Sequence, residues 1–442
     1  MRDMEGFLSA VEAAAGEGCA ACVAECDNCT HAPEWELELR TALLTARRAE
    51  RRYPDVIAAS PWNVARRAAP LASLKEPRPG TMRQLRVELT RLSNIVLAVT
   101  MMLTLLLASS AAAAAPPTSS CAPGACTGTV VRVGPAPLQC ERIQQAFNCI
   151  PDRTANAPRV HVLVTPGTYP EALRLHASKG PVSLLGLGNP HTVTVAANET
   201  CGGSDPTVPC GALQVLADDF VMSNITLANE VEYRVVPAGK PFAIEVAGDR
   251  AAVYSSRLLG KDDTVFTGRH RVYFRDTWIN GSTDFNFGQG AAVYERCTLM
   301  AQPGKYWSWI TAHAGNISEG GASVSAVRSA YLILDSRLPS AGPGNRKGTT
   351  FLGRPWGPLA KVAYVNTWMD DHIAAAGWTP VRSGSNANVT FREFNSSGPG
   401  GSASKRVSWS GQLTAAEVAA EWTVSRVLQG WAPPAEAMYP SD

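Results

Sequence analysis

Residues 252–300 read AVYSSRLLGKDDTVFTGRHRVYFRDTWINGSTDFNFGQGAAVYERCTLM, and one pattern is written there three times. Ala252-Val253-Tyr254, Arg271-Val272-Tyr273 and Ala292-Val293-Tyr294 each open a short β-prone run. The runs close on Leu258-Leu259, Trp278-Ile279 and Leu299-Met300. Tyr331-Leu332-Ile333 and Val362-Ala363-Tyr364 continue the pattern one to two periods further on. Short strands recurring about every 20 residues indicate a solenoid in which each repeat is one coil. Residues one coil apart then stack about 4.8 Å from each other on neighbouring parallel strands. Asp263 and Asp284 are 21 residues apart, so this spacing predicts that they face each other. Two carboxylates held that near seldom both ionise; one stays protonated while the other is anionic. An acid and a nucleophile need that division.

Outward from this stretch the same strand grammar continues. Val160–Val164, Val182–Leu187, Val193–Ala196, Leu213–Leu216 and Phe220–Leu227 read as strands separated by Gly, Asn and Asp turns, with no long helix between them. The fold class expected is all-β, a parallel β-helix with short capping helices, one of which covers residues 143–147. Ala415 to Trp422 reads as a helix that caps or packs along the outside, and residues 396–406, rich in Ser and Gly, as an exposed loop. Outward-facing positions of one sheet form a long groove suited to a polymer. Tyr254, Tyr273 and Tyr294 are expected to stack within the solenoid, and His313 and His270 to be ordinary polar residues.

The chain has 442 residues, with 40 basic against 38 acidic side chains. No basic run is interleaved with aromatics, which argues against nucleic acid as a partner. The segment from Ile95 to Ala115 is apolar, follows Arg83, Arg86 and Arg91, and ends in an alanine run. A basic start, an apolar middle and small residues at the exit read as a secretory signal, with translation from Met82 giving an ordinary one. The segment is also long enough to be an uncleaved signal anchor. The organisation expected is a disordered or mispredicted N-terminal extension over 1–81, a signal peptide or anchor over 82–115, a linker over 116–128, and the solenoid over 129–438. Export to the extracellular space or cell wall follows, with a membrane partner only if the segment stays uncleaved, and a monomer expected.

Cysteine usage after the apolar segment suits an oxidising compartment. Three close pairs, Cys121 with Cys126, Cys140 with Cys149 and Cys201 with Cys210, suggest local disulfides, and Cys297 is left as a buried thiol. Asn198, Asn224, Asn280, Asn316, Asn388 and Asn395 begin glycosylation sequons. Cys19, Cys22, Cys26 and Cys29 have the composition of a zinc or iron–sulfur knuckle. Only three residues separate the two pairs, too short for an ordinary knuckle, and no metal is expected.

With these motifs in hand, residues 129–435 resemble the pectin methylesterase (pectinesterase) family. The resemblance is carried in order by Gly167-Thr168-Tyr169-Pro170-Glu171, Gly248-Asp249-Arg250-Ala251-Ala252-Val253-Tyr254, Asp263-Thr264, Asp284-Phe285-Asn286-Phe287-Gly288 and Leu352-Gly353-Arg354-Pro355-Trp356. It implies a right-handed parallel β-helix that removes methyl esters from pectin (homogalacturonan), an acidic polysaccharide, and releases methanol without metal or cofactor. It also implies that Asp284 is the nucleophile, that Asp263 is the acid and then the base, that Arg354 pairs with Asp284, and that Trp356 stacks on a sugar ring. Coil counting puts Arg354 about 10 Å beyond Asp284, a gap only a long side chain crosses.

Three positions depart from the family. Its oxyanion donors are two glutamines; here the corresponding residues are Asp262, directly before Asp263, and Lys240. A lysine can donate to an oxyanion and an ionised aspartate cannot. Asn286 replaces an apolar residue and, facing inward, needs partners such as an amide ladder. Two rivals follow: a polysaccharide-binding β-helix that has lost turnover, and a β-helix lyase or hydrolase on the same polymer. A pectate lyase would require calcium, and neither a lyase nor a hydrolase needs the Arg354–Trp356 motif.

Overall fold

The structure, a computed structural model, describes residues 121–435 apart from 123, 136–137, 199–210, 230–240, 304–306, 316–327, 343–345 and 381–385. Lys240, the Cys201–Cys210 pair, Asn316, the cysteines at 19–29 and the 95–115 segment lie outside these residues. No helix among the described residues is long and apolar enough to cross a membrane.

Strands stack into three sheets of 11, 8 and 7 strands, and all the pairings between them are parallel. Each coil visits the sheets in turn: Ala251–Tyr254, Arg257–Leu259 and Val265–Thr267 make one coil, and Arg271–Arg275, Trp278–Gly281 and Asn286–Gly288 the next. The result is a right-handed parallel β-helix. Its interior is filled by alternate residues such as Val253, Leu258, Val265, Phe274, Ile279 and Tyr294, each essentially inaccessible to solvent.

First-sheet strands are buried on both faces, which is why they read as unbroken apolar runs. Two short helices, Ala415–Glu421 and Val424–Val427, carry Trp422, Val427 and Leu428 onto the outer face, against Ala252, Tyr254, Tyr273 and Val293. The C-terminal helix therefore packs along the side of the solenoid. Register corrects the tyrosine alignment: Ala252 pairs with Tyr273 and Tyr273 with Val293, while Phe274 pairs with Tyr294. Tyr254 and Tyr273 point outward and touch edge to face, whereas Tyr294 points inward and stacks on Phe274 at 4.8 Å.

The turn after each first-sheet strand is built the same way on successive coils. Asn224, Ser255, Asp276, Arg296, Asp335, Asn366 and Asn395 all take left-handed φ between 42° and 58°, a conformation Asn and Asp tolerate best. The next residue turns a small polar group into the core: Ser256, Thr277, Cys297, Ser336 and Thr367 each bond the carbonyl two residues back. Cys297 is one rung of this hydroxyl ladder, and burial pushes its thiol up to about 12. The left-handed break at Asn224 also splits the expected strand 220–227 into Val221–Ser223 and Thr226–Asn229.

The expected end helix forms over Ile143–Cys149. Its first amides, on Ile143 and Gln144, donate to the two carboxylate oxygens of Glu171, each at 3.0 Å. The Gly167–Glu171 motif thus caps a helix. Disulfides join Cys121 to Cys140 and Cys126 to Cys149, correcting the local pairing expected from spacing. The chain doubles back between these cysteines, so the spatially near partner is the one 19 or 23 residues on. The 396–406 segment is the expected loop, exposed over much of its length. Arg406 is anchored in it by a buried ion pair with Glu393, at 2.8 Å.

Candidate active site

Asp263 and Asp284 occupy equivalent turns between the second and third sheets, on neighbouring coils. Asp262 pairs with Thr283 and Val265 with Asn286, which sets Asp263 beside Asp284. Both take the same left-handed backbone, φ 53° and 51°, so their side chains leave the coil in the same direction. Asp263 is partly open to solvent, and Asp284 is only 5% exposed.

The remaining coils complete the site. Asn286 pairs with Thr311 and Thr311 with Gly353, so two residues earlier Asp284 lies in the column of Trp309 and Phe351. Arg354 sits two rungs beyond Phe287, through Ala312, and its side chain reaches back as the coil count requires. Its Nε donates to Asp284 Oδ1 at 2.9 Å and Oδ2 at 3.2 Å, and its Nη2 donates to Oδ2. Gly353, the residue before Arg354, lets its coil pack against Thr311, because a Cβ there would lie 2.1 Å from Thr311 Oγ1. A fork of charge-assisted bonds fixes the carboxylate plane and favours its anionic form.

Trp356 is 46% exposed, with its ring set edge-on to Phe287 at 5.3 Å. Phe287 and Phe266 are in contact on the outer face of the third sheet, and Phe242 lies against both. Below them the same outward row continues through Glu245, Gln214 and Arg174, linked by hydrogen bonds. The face therefore changes from aromatic to polar along the solenoid axis.

Asp262 is turned away to a structural task. Its Oδ1 accepts from Ser282 Oγ at 2.6 Å and from the Thr283 amide at 3.0 Å. Asn286 makes no amide ladder; its Nδ2 donates to the Ile310 carbonyl at 3.1 Å. His313 is buried, with Nδ1 accepting from the Lys361 amide and Nε2 bonded to Ser329 Oγ, and desolvation lowers it to about 3. It supports the neighbouring coils and does not reach the aspartates' column.

Four successive coils thus bring two carboxylates, a forked guanidinium and an open aromatic ring together. A family model described as Pectinesterase matches residues 130–431. The chain belongs to the pectinesterase family. Arabidopsis thaliana "Probable pectinesterase 8" is 30% identical over 266 residues, which cover 58% of this chain and 65% of that relative. The match therefore spans just under two thirds of the relative's length. "Pectinesterase 31" of the same plant is 30% identical over 282 residues, covering 61% of this chain and 83% of the relative. Among solved structures, a pectin methylesterase from carrot superposes with a TM-score of 0.60 at 20% identity, over 72% of this chain and 95% of that one. This likeness carries the fold.

Within this pectinesterase-family site, Trp309 escaped the sequence reading. Arg354 Cζ lies 4.4 Å from its ring centroid, and its Nε1 donates to Thr379 Oγ1 at 2.9 Å. The longer coil between Asn286 and Thr311 hides the column that relates it to Asp284. Aligning from Asn286-Phe287-Gly288 to Thr311-Ala312-His313 would have revealed it.

Proposed function

We propose that this chain hydrolyses methyl esters of pectin-like polygalacturonate, with Asp284 as nucleophile and Asp263 as acid and base. The observation that carries this reading is the Arg354 fork on Asp284, with Asp263 one rung away. One carboxylate is pinned as an anion by a permanent cation, while its neighbour is more open to water. Those environments suit two different protonation states.

In the first half-reaction an Asp284 oxygen attacks the ester carbonyl carbon, and the C–O bond to the methoxy group breaks. Asp263 gives its proton to the departing oxygen, so methanol leaves and an acyl-enzyme anhydride remains. Asp263, now a carboxylate, takes a proton from water, whose oxygen attacks the same carbonyl carbon. Collapse releases the free uronate, regenerates anionic Asp284 and leaves Asp263 protonated. Trp356 offers an apolar ring face to a pyranose beside the scissile ester. Arg354 stays charged throughout and holds its position.

Methanol release from methylated polygalacturonate tests the reading. Asp284→Asn should abolish turnover while leaving the melting temperature within a few degrees. Intact, folded wild-type protein that releases no methanol would overturn the catalytic assignment.

Asp262 favours a second reading, a polyuronide-binding protein with little turnover. An acceptor-only group stands where the family places an oxyanion donor, and loss of one such donor typically costs about 10²–10³ in rate. Under this reading polygalacturonate binds, and Asp284→Asn leaves that binding unchanged. Export and a place in the cell wall belong to the same proposal, and N-terminal sequencing of exported protein tests them.

A further inference from the structure

We propose that Trp309 is a positioning residue that holds the Arg354 fork on Asp284. The inference rests on the proposed role of Asp284 but is argued from a separate set of contacts. Arg354 comes from two rungs beyond the nucleophile's coil, and its side chain spans that gap at some cost in rotamer freedom. The rung between is occupied, in the same column as Asp284, by Trp309. The Trp309 amide also donates to the Ser282 carbonyl at 3.0 Å, two residues before the nucleophile. The indole therefore lies under the path Arg354 must take.

Three contacts convert that position into a constraint. The guanidinium carbon sits 4.4 Å from the indole centroid, a cation–π distance. The indole cannot swing away freely, because its Nε1–H donates to Thr379 Oγ1 at 2.9 Å. Its other support is Phe351, nearly parallel at 18° and 6.1 Å between centroids. Thr379 and Phe351 thus fix the indole, the indole fixes the guanidinium plane, and that plane fixes the carboxylate. Trp309 enters this chain of contacts at the guanidinium. Its action runs through Arg354, and the attacking oxygen inherits its direction from the fork.

The test uses the full chain with Trp309→Leu, Trp309→Phe and Thr379→Val. Removing the aromatic face should lower kcat about ten-fold, because small misplacements of a catalytic group are costly, while KM stays within about two-fold. Phe restores an aromatic face and should recover most of the loss; Thr379→Val should fall between. A second readout is independent of turnover: the Arg354 Nε–H resonance in ¹⁵N NMR, which ring current and the carboxylate bond set apart from exposed arginines. It should move toward the exposed-arginine position in Trp309→Leu and return in Trp309→Phe. If Trp309→Leu does not fold, the Phe and Val variants carry the comparison. Unchanged kcat in Trp309→Leu, an unmoved Arg354 signal in a folded variant, or equal losses in KM and kcat would overturn the assignment. Wild type lacking methanol release but showing the Arg354 shift would refute the proposed reaction and leave the positioning role standing.

Discussion

At Asp262 one carboxylate decides how fast the proposed reaction can run. Left-handed backbone at Asp263 and Asp284 throws both side chains out of the coil, and Asp262 is held against the next turn by Ser282 Oγ and the Thr283 amide. An anion with two donors in place is well satisfied where it is. It still contributes no N–H or O–H toward a tetrahedral oxyanion, and its charge opposes the one that develops there. Glutamine at this position keeps an oxygen for the Thr283 amide and adds an NH₂ group. Asp262→Gln is therefore expected to raise kcat at least about ten-fold, and by at most the roughly 10²–10³ that one such donor is worth. The measurement is initial-rate methanol release, with Asp262→Gln/Asp284→Asn as a background control. An unchanged kcat in a variant of unaltered melting temperature would mean that other groups already stabilise the oxyanion.

At the level of strands and helices, the sequence was readable wherever local pattern and long-range register agree. The period of short apolar runs located the coils, and the spacing of Asp263 and Asp284 matched the register because the intervening coil has no insertion. It failed where one residue of slip matters. Tyr273 and Tyr294 look equivalent as the third letter of a repeated triplet, yet the pairing is Tyr273 with Val293, and a shift of one residue exchanges inside for outside. Disulfide partners were missed because a reversal of the chain between the cysteines leaves no mark in their spacing. Glu171 was read as part of a family signature, and its physical role emerged only from the helix it caps. Both its oxygens accept from amides at the start of Ile143–Cys149, and the residue is 8% exposed. Glu171→Ala should destabilise the fold by about 2 kcal/mol, as expected for losing a charged, partly buried cap. Urea unfolding of variant and wild type measures it, with kcat for methanol release unchanged because the cap lies three coils from Asp263. A stability loss below about 0.5 kcal/mol would show that the helix is held by its disulfide and apolar face alone.

Across the whole molecule, the stacked coils leave buried titratable groups whose protonation opposes folding in acid. His313 has no solvent exposure; its Nδ1 accepts from the Lys361 amide, so a proton there would set N–H against N–H. Burial lowers it to about 3, and burial lowers His372 to about 4 despite the nearby Asp370 and Asp371. In the unfolded chain both titrate near the ordinary histidine value of about 6.5. Between those limits the unfolded state binds more protons than the native one, so stability rises with pH across the window and falls as pH is lowered through it. Above pH about 6.5 neither histidine contributes a slope. Between about pH 6 and 4 each contributes up to about 1.4 kcal/mol per pH unit, the limiting slope for one proton. Asp219 and Asp249, held low by arginine partners, add their own loss only below the ordinary carboxylate range, so the two effects separate in pH. Urea midpoints from pH 7.5 to 4 should therefore be flat at first and then decline. His313→Gln should be less stable throughout but lose about half of that decline, because glutamine offers the Lys361 amide an acceptor that does not protonate. A wild-type midpoint constant from pH 7 to 4.5 would mean that the buried histidines accept protons without unfolding the coils around them.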